Sequence, residues 1–305
     1  MLETLWYAIA GAVAQFVDGT LGMAFGITSS TALVLLGASA VAASAAVHFA
    51  EIGTTLASGL SHWREGNVDK HILLRIALPG AIGAFVGATV LTQFSLDGAR
   101  TYMSGLLFLL GLVLLIRFGF GIAVIKAKKK MLRGYTLAGL GAFAGFVDAS
   151  GGGGWGPITT PTLLTATRTH PRLVIGTVSA AEFAVAVAAS LGFLFGLSTA
   201  ETEVPVTVVL GLMLGGVLMA PIAARLAGRL PHAPFGVLIG GVVIITNGRT
   251  LLGAAGTSST INLTLLAITI VAVIALAIFA WKREFNKKIP HTPKDFSGPE
   301  AEIPE

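Results

Sequence analysis

Long apolar runs separated by short polar segments dominate this chain. A segment such as 204–224 is apolar on every side of a helix rather than along one stripe, and it has the roughly 20 residues that a helix needs to cross a bilayer. The pattern predicts an all-α polytopic membrane protein. The apolar segments lie at about 5–36, 40–60, 71–94, 102–120, 134–165, 172–197, 204–226, 234–252 and 261–281.

The first and fifth of these segments are longer than the others and are interrupted near the middle. The interruptions are "DGTLG" at 18–22 and "DASGGGG" at 148–154. Each half, about 13 residues, would reach only about 20 Å as a helix, less than the hydrocarbon core of about 30 Å. We therefore expect two broken helical hairpins, each of which enters the membrane and returns to the side from which it came.

The two hairpins are copies of one sequence. "GAVAQFVDGTLGMAFG" at 11–26 and "GAFAGFVDASGGGGWG" at 141–156 are identical at eight of sixteen positions at an offset of 130, and an offset of 131 aligns Glu51 with Glu182. Each copy has one hairpin and three spans, an odd number of crossings, so the copies should lie upside down relative to each other. This predicts an inverted-topology repeat, a common construction in transporters.

The repeat divides the chain into predicted units. These are a first repeat at 1–120, a basic cytoplasmic connector at 121–133, a second repeat at 134–253, an additional span at 254–281 and a cytoplasmic tail at 282–305.

Lysine and arginine residues indicate which loops face the cytoplasm, because cytoplasmic loops are enriched in them. If each hairpin returns to the side of the membrane from which it came, 18 of the 20 Lys and Arg residues lie on one side. Only Arg100 and Arg249 lie on the opposite side, together with the acidic loop of Glu201 and Glu203. The sequence therefore predicts a protein of the cytoplasmic membrane with its N-terminus outside and its C-terminus inside. The loops at 121–133 and 226–233 should face the cytoplasm, and 198–203 should face outward.

Composition narrows the candidate partners to the lipid bilayer and small molecules. The mean hydropathy is +0.84, only 11% of the residues are charged and there is no cysteine, which excludes thiol chemistry and iron–sulfur clusters. The net charge of +5 does not indicate nucleic-acid binding, because the basic residues flank apolar runs, and "KAKKK" at 126–130 is typical of an anchor at lipid headgroups. No cofactor, catalytic motif or metal-ligand cluster is predicted, and the oligomeric state is left open, a homo-oligomer included.

Four acidic residues lie well inside the apolar segments and form two pairs related by the repeat. They are Asp18, Glu51, Asp148 and Glu182. Each costs roughly 2.5–3.5 kcal/mol in a membrane, so that the four together cost on the order of 10 kcal/mol, comparable with the stability of a whole domain. We therefore expect them to function in transport, as groups that carry protons.

The interruptions have the chemistry of an anion site. A helix that begins within the membrane has unpaired N–H donors, and glycine lets an anion approach them without a Cβ in the way. Pro157 suits the first turn of such a helix. The residues expected to bind substrate are Thr20, Gly22, Thr28, Ser150, Gly151, Gly152, Gly153, Gly154 and Thr159, with His48 as a further candidate. The alternative is structural: Asp18 and Asp148 would cap the second legs, and the glycines would permit close helix packing.

A polar stripe follows the second segment, where Ser44, His48, Glu51, Thr55 and Ser58 recur every three or four residues. Such a stripe should face a cavity or another helix. The serines and threonines fit either a transport path or hydrogen bonds between helices, and we favour a functional role for Glu51. His48 could titrate near neutral pH or assist anion binding, although a lone histidine more often forms a packing hydrogen bond.

These motifs together resemble the TauE/SafE family of sulfite exporters and related anion transporters. The residues that carry the resemblance are "FVDGTLGMAFG" at 16–26, "SHWREGNVDKHILLRIALPGAIGAFVGA" at 61–88 and "FVDASGGGGWGPITTPTLL" at 146–164, within a similarity that extends over about 1–252. The resemblance implies movement of sulfite, sulfonates or other small sulfur-containing anions across the cytoplasmic membrane, often outward. The first hairpin differs, because Thr20 to Leu33 contains neither a glycine run nor a proline.

The residues favour a secondary transporter of a small anion, with proton coupling through the buried carboxylates as a hypothesis. The first alternative is a proton-coupled cation or metal carrier, for which acidic groups and His48 would be suitable ligands. The second is an intramembrane aspartyl hydrolase with an aspartate dyad. Proteases of that type have a GxGD motif, which this chain lacks.

Overall fold

The computed structural model describes residues 2–121, 132–167, 169–197, 203–227 and 232–288. Within these ranges the chain is helical and has no strand, as the apolar pattern predicted. The helices are α1 Leu2–Leu21, α2 Phe25–Leu35, α3 Ala40–Arg64, α4 Lys70–Leu91, α5 Leu96–Phe120, α6 Gly134–Gly151, α7 Trp155–Ala166, α8 Pro171–Leu197, α9 Val206–Leu226, α10 His232–Ala254 and α11 Ser259–Lys288.

Among the described residues, seven helices are long and apolar enough to cross a membrane, namely α3, α4, α5, α8, α9, α10 and α11. They are the seven uninterrupted spans that the sequence predicted. Large apolar side chains such as Leu74 and Leu218 lie on the outside of the bundle, 74% and 75% exposed. An outer surface of this kind is suited to lipid, and the chain is a multi-pass membrane protein.

Both predicted interruptions exist, but they lie later in the chain and the legs are unequal. The first legs, α1 and α6, have 20 and 18 residues, whereas the second legs, α2 and α7, have 11 and 12. The expectation of equal legs of about 13 residues is therefore wrong. Asp18 and Asp148 lie in the last turn of the first legs, because these helices continue until glycines 22 and 152, where the backbone adopts a positive φ.

The helix packing has the symmetry of a repeat. The helix α1 packs along α9, and its copy α6 packs along α4 in the same way. The pair α3 and α9 likewise corresponds to the pair α8 and α4. The helices α3 and α8, which are copies of each other, are in contact, and so are the copies α5 and α10. The most extensive contacts of the first ten helices thus follow the repeat. The upside-down orientation of the two halves stays a prediction.

Glycines allow the closest of these helix contacts. A Cβ added at Gly145 would lie 2.1 Å from the carbonyl oxygen of Gly80, and one at Gly215 would lie 1.8 Å from that of Ala8. No larger residue fits either position, so small residues set the spacing of both α4 to α6 and α1 to α9.

The helix α11 is attached to α5 and α10 by polar contacts at its C-terminal end. The guanidinium of Arg283 donates to the carbonyl oxygens of Gly119 at 2.9 Å and Phe118 at 2.8 Å, which satisfies acceptors at the end of α5. Oε2 of Glu284 accepts from the N–H of Ala233 at 3.0 Å, at the start of α10. Both residues belong to the segment predicted as a tail from 282, so the helix continues further than expected.

Several predictions concern segments outside the described residues. These are most of the basic connector, the loop that contains Glu201, the segment 228–231 and the tail beyond 288. The membrane orientation of the termini likewise stays a prediction.

Candidate functional site

The two helix breaks lie against each other. The Ser30 hydroxyl on α2 donates a hydrogen bond to the carbonyl of Gly152, and the Thr160 hydroxyl on α7 donates to the carbonyl of Gly22 at 2.5 Å. Both the donors and the acceptors are 130 residues apart, so the two bonds are reciprocal. A hydroxyl on each second leg therefore holds the first glycine of the opposite break.

The breaks form because each first leg ends in a glycine with left-handed backbone. Gly22 has a φ of 71° and Gly152 a φ of 72°, and their N–H groups donate to the carbonyls of Asp18 and Asp148. This is a common way for a helix to end, and glycine adopts it without steric strain. The chain then needs only two more residues before the second leg begins.

Asp148 caps the second leg of its own hairpin from across the break. Its Oδ1 accepts hydrogen bonds from the N–H groups of Gly154 at 2.8 Å and Trp155 at 2.9 Å, the first donors of α7. Asp18 makes the equivalent contact with the N–H of Phe25, but at 3.5 Å. The capping geometry is thus strong at the second break and weak at the first.

His48 contacts the other oxygen of Asp148. Its Nε2 lies 3.2 Å from Oδ2 of Asp148 and 3.9 Å from Oε2 of Glu51, and its side chain is completely buried. Its Nδ1 lies 2.8 Å from the carbonyl oxygen of Ser44. A carbonyl only accepts, so Nδ1 is the protonated nitrogen and Nε2 faces the carboxylate. A proton on either Nε2 or Oδ2 is then needed to make the contact with Asp148 attractive.

The remaining two carboxylates are also buried. Glu51 is 1% exposed, and its Oε1 has no hydrogen-bond partner among the described residues. That oxygen lies 3.3 Å from the point that a Cβ on Gly26 would occupy, so Glu51 borders the first break. Glu182 lies on α8, 6% exposed. The structure thus places Glu51, His48 and Asp148 in one cluster around the breaks.

The hydroxyls predicted to bind substrate donate to carbonyls of their own helices. The bonds run from Thr20 to Phe16, Thr28 to Ala24, Ser150 to Phe146 and Thr159 to Trp155, at 2.7, 2.5, 2.6 and 2.5 Å. Ser150 also contacts the Tyr102 hydroxyl at 3.1 Å. Their role in anion binding stays a prediction.

The glycine run is packed and its donors are occupied. Residues 151–154 are all buried, and the N–H groups of Gly152, Gly153 and Gly154 bond to the backbone carbonyl or carboxylate of Asp148. A Cβ on Gly153 would lie 2.3 Å from the amide nitrogen of Ile27. An anion could reach these donors only if Asp148 released them.

The two serines of the stripe on α3 also make contacts between helices. The Ser44 hydroxyl donates to the carbonyl of Ala149 at 2.7 Å, and the hydroxyls of Ser58 and Ser179 are 2.7 Å apart. The hydroxyl of Thr55 instead bonds to its own helix, at the carbonyl of Glu51. Ser44 and Ser58 therefore have the geometry of helix-packing residues.

Sequence reasoning missed Ser30 and Thr160, which join the two breaks. Both lie eight residues after the left-handed glycine of their hairpin, and the offset of 130 relates them. That offset was the available signal, because a hydroxyl at the same position of both copies is expected where the copies meet.

The cluster also has the geometry of a ligand set. His48, Glu51 and Asp148 each offer one atom, and these atoms lie within 4.8 Å of one another, so the three residues could hold a metal ion. Imidazole and carboxylate are common ligands of divalent cations. Sequence inspection predicted no metal cluster, because Asp148 is 97 residues or more from the other two.

A multi-pass membrane protein with two interrupted helices, and buried carboxylates at the breaks, has the construction of a membrane transporter. The chain matches the sulfite exporter TauE/SafE family over residues 7–250 and belongs to that family. This confirms the resemblance drawn from the hairpin motifs.

Two relatives from Bacillus subtilis (strain 168) support this assignment. The chain is 46% identical to the probable membrane transporter protein YtnM over 253 residues. The aligned residues make up 83% of this chain and 84% of YtnM. It is 26% identical to the probable membrane transporter protein YdhB over 179 residues. The aligned residues make up 58% of this chain and 71% of YdhB. No solved structure matches the chain. The family and both relatives are described as transporters rather than as enzymes.

Proposed function

We propose that this transporter moves a small sulfur-containing anion, such as sulfite or an organosulfonate, outward across the cytoplasmic membrane, coupled to protons. The family description supports the substrate class. The N-terminus lies outside and the C-terminus inside. No ATP-driven motor is involved, so the outward gradient of the anion supplies the energy, and the protons that move with the anion permit its passage.

The coupling arises because the anion and the Asp148 carboxylate compete for the same donors. The N–H groups of Gly154 and Trp155 both bond to Oδ1 of Asp148. A protonated carboxyl is a much weaker acceptor than a carboxylate, so proton binding at Asp148 releases these donors. The anion then takes the place of the carboxylate at the start of α7, where the helix dipole favours negative charge.

The proton reaches Asp148 through His48. The Nε2 atom lies 3.2 Å from Asp148 and 3.9 Å from Glu51, which is close enough for a proton to pass with small side-chain movements. Glu51, Asp18 and Glu182 serve as further proton sites near the breaks. Neutralised carboxyls also reduce the repulsion that an anion would otherwise meet there.

The anion site itself consists of backbone donors and hydroxyls. Glycines 151–154 and Gly22 leave their backbone accessible once the site opens, and no Lys or Arg lies near the middle of a span. Thr20, Thr28, Ser150 and Thr159 supply hydroxyls, which can rotate from their helix carbonyls toward a bound oxyanion.

One observation supports this mechanism most directly: a single carboxylate divides its two oxygens between the helix start and His48. A purely structural cap would need only the first of these contacts.

The test is flux in proteoliposomes of the purified protein under an imposed pH gradient. Sulfite flux should increase when the side from which sulfite enters the carrier is made acidic, and sulfite should carry protons with it. A sulfite flux that is independent of pH would contradict the coupling. The absence of sulfite and sulfonate flux would contradict the substrate.

A second candidate function is a carrier of divalent cations, favoured by the ligand geometry of His48, Glu51 and Asp148. Parallel assays with Mn²⁺ and Zn²⁺ in the same liposomes distinguish the two. Cation flux that sulfite does not affect would favour the cation carrier, whereas the anion carrier predicts sulfite flux without cation movement.

A further inference from the structure

A polar cavity of about 780 Å³ lies between α2, α5 and α10, away from the carboxylate cluster. The end of α2, the start of α5 and the end of α10 form it. All three ends belong to the side that the sequence predicts to be external. The lining residues used below are Thr31, Asp97, Arg100, Asn247, Arg249 and Thr250.

The cavity contains both arginines that the charge distribution placed opposite the cytoplasmic side. Arg100 comes from α5 and Arg249 from α10, and neither guanidinium has an ion-pair or hydrogen-bond partner in the part of the chain that the structure describes. Asp97 is the one acidic residue in the lining, and it lies in the first turn of α5, where it stabilises the helix dipole. The lining therefore has a net charge of +1, from Arg100 and Arg249 less Asp97.

One part of the cavity lining lies close in the chain to a residue that contacts the second helix break. The Asn247 amide donates to the Thr31 hydroxyl at 3.3 Å and to the carbonyl of Val243 at 2.9 Å. Asn247 and Thr31 are both buried, and the neighbour of Thr31 in the chain, Ser30, bonds to the carbonyl of Gly152. The Asn247–Thr31 contact thus lies one residue along α2 from the residue that touches the break.

We propose that this cavity is an outer anion-binding vestibule, in which Arg100 and Arg249 hold a small oxyanion before or after it passes the Asn247–Thr31 contact. This inference rests on the proposed transport of an anion and adds a second site to it. Guanidinium groups suit the task because they present paired donors to an oxyanion and remain charged at every physiological pH. Hydroxyls such as that of Thr250 add neutral donors.

The vestibule would work differently from the break. At the break, the donors are backbone groups in a buried site that Asp148 occupies. In the vestibule, charged side chains face water, so that they attract anions from solution and concentrate them at the mouth of the pathway. Screening by salt should weaken the vestibule.

The first test measures the local potential without requiring transport. Thr250→Cys in this cysteine-free chain is labelled with an anionic or a cationic methanethiosulfonate reagent, and Gln93→Cys, an exposed position outside the lining on the same side, is the control. We expect the anionic-to-cationic rate ratio to be about tenfold higher at position 250. Adding Arg100→Gln and Arg249→Gln should reduce the ratio at position 250 to that of the control.

The proposed vestibule would be contradicted if the anionic-to-cationic labelling ratio were equal at positions 250 and 93. It would also be contradicted if the double substitution left the ratio at position 250 unchanged. Labelling of position 250 from the cytoplasmic side alone would also overturn it, because the site would then not be external.

The second test measures the apparent affinity for external sulfite. Arg100→Gln and Arg249→Gln should each raise KM about tenfold, through the loss of a charge-assisted contact, and Asp97→Asn should lower KM about threefold. Arg225→Gln is the matched control, because this exposed arginine on α9 contacts only Glu65, at 3.9 Å, in the described ranges. Its KM should equal that of the unmodified protein.

The two tests separate the vestibule from the proposed function. Sulfite transport with an unchanged KM in both arginine variants would overturn the vestibule and leave the proposed function intact. A potential that depends on the two arginines, in a protein that moves no sulfite, would support the vestibule and contradict the substrate.

Discussion

The breaks at 22–24 and 152–154 have the same backbone arrangement but different chemistry. Each first leg ends in a left-handed glycine, and each second leg donates a hydroxyl to the glycine of the other break. The carboxylates differ: Asp148 accepts two N–H donors and contacts His48, whereas Asp18 makes one long contact with Phe25.

The difference follows from three positions at which the copies differ. The residue 131 positions after His48 is Ser179, which bonds to Ser58 instead of a carboxylate. The residues that correspond to Gly153 and Gly154 are Met23 and Ala24, which have side chains. Both copies thus have the contacts that join the breaks, while the contacts on which the proposed proton and anion chemistry rests are found at the second break.

The largest effect is expected from Gly153→Ala. Gly153 has a φ of 145°, and its Cβ would lie 2.3 Å from the amide nitrogen of Ile27, so the two breaks would have to separate. We expect a loss of about 3 kcal/mol or more in stability, together with the loss of transport. Gly22→Ala, at the first residue of the first break, is the comparison, because the counterpart of Gly153 at position 23 is already a methionine. The atoms nearest to its Cβ belong to the side chain of Ile175, at 3.0 Å and beyond, so the steric part of the cost should be smaller. Thermal unfolding in detergent is the measurement, and equal losses would refute the asymmetry.

His48→Gln should affect transport more than stability. The amide side chain cannot carry a proton between Asp148 and Glu51, so proton-driven sulfite flux should fall about 100-fold. Ser179→Ala, at the corresponding position of the other copy, should leave flux and its pH dependence nearly unchanged, because it removes only the bond to Ser58. Comparable losses in both variants would mean that the two breaks share the proton chemistry.

Ser30→Ala and Thr160→Val test what the breaks have in common. Each leaves a buried glycine carbonyl without its hydroxyl donor, so each should cost about 1–3 kcal/mol, and the two costs should be similar. Unfolding of the two variants under identical conditions provides the comparison. A large cost for only one of them would contradict the reciprocal arrangement.

The smallest effect is expected from Ala24→Gly. Ala24 has a φ of 113°, the one positive φ among the non-glycine residues described, and its counterpart Gly154 has an extended φ of 175°. Glycine relieves the strain at position 24 but is more flexible in the unfolded chain, so we expect a net gain of about 1 kcal/mol or less. The measurement is the unfolding temperature of the variant. An increase would indicate that the strain at position 24 is relieved, and a clear decrease in the unfolding temperature would count against strain at the first break.

The fold could be predicted from the sequence where local patterns determine it. The seven uninterrupted spans follow from the length and composition of their apolar runs, and the two breaks follow from the glycines behind an aspartate. The exact position of each break could not be predicted, because Asp18 and Asp148 act from inside the first legs. A cap supplied by the preceding helix is indistinguishable in sequence from a cap at the helix start.

The site was only partly predictable, for a different reason. Asp148, His48 and Glu51 were identified as polar residues in apolar segments, but their contact joins α3 to α6, 97 or more residues apart. Local periodicity contains no information on such contacts. For the same reason the sequence placed Arg100 and Arg249 on one side of the membrane without indicating that they line one cavity.

The central claim is that Asp148, rather than Asp18, exchanges the proton that accompanies the anion. The most direct test is sulfite flux in proteoliposomes under an imposed pH gradient for the unmodified protein, Asp148→Asn and Asp18→Asn, with folding checked by size-exclusion profile. Asparagine at 148 still accepts from Gly154 and Trp155 but cannot be protonated in the physiological range. We predict that Asp148→Asn folds and loses the pH dependence of flux, while Asp18→Asn retains it. An Asp148→Asn variant that transports at the unmodified rate with the same pH dependence would contradict the claim and leave Asp148 as a structural cap.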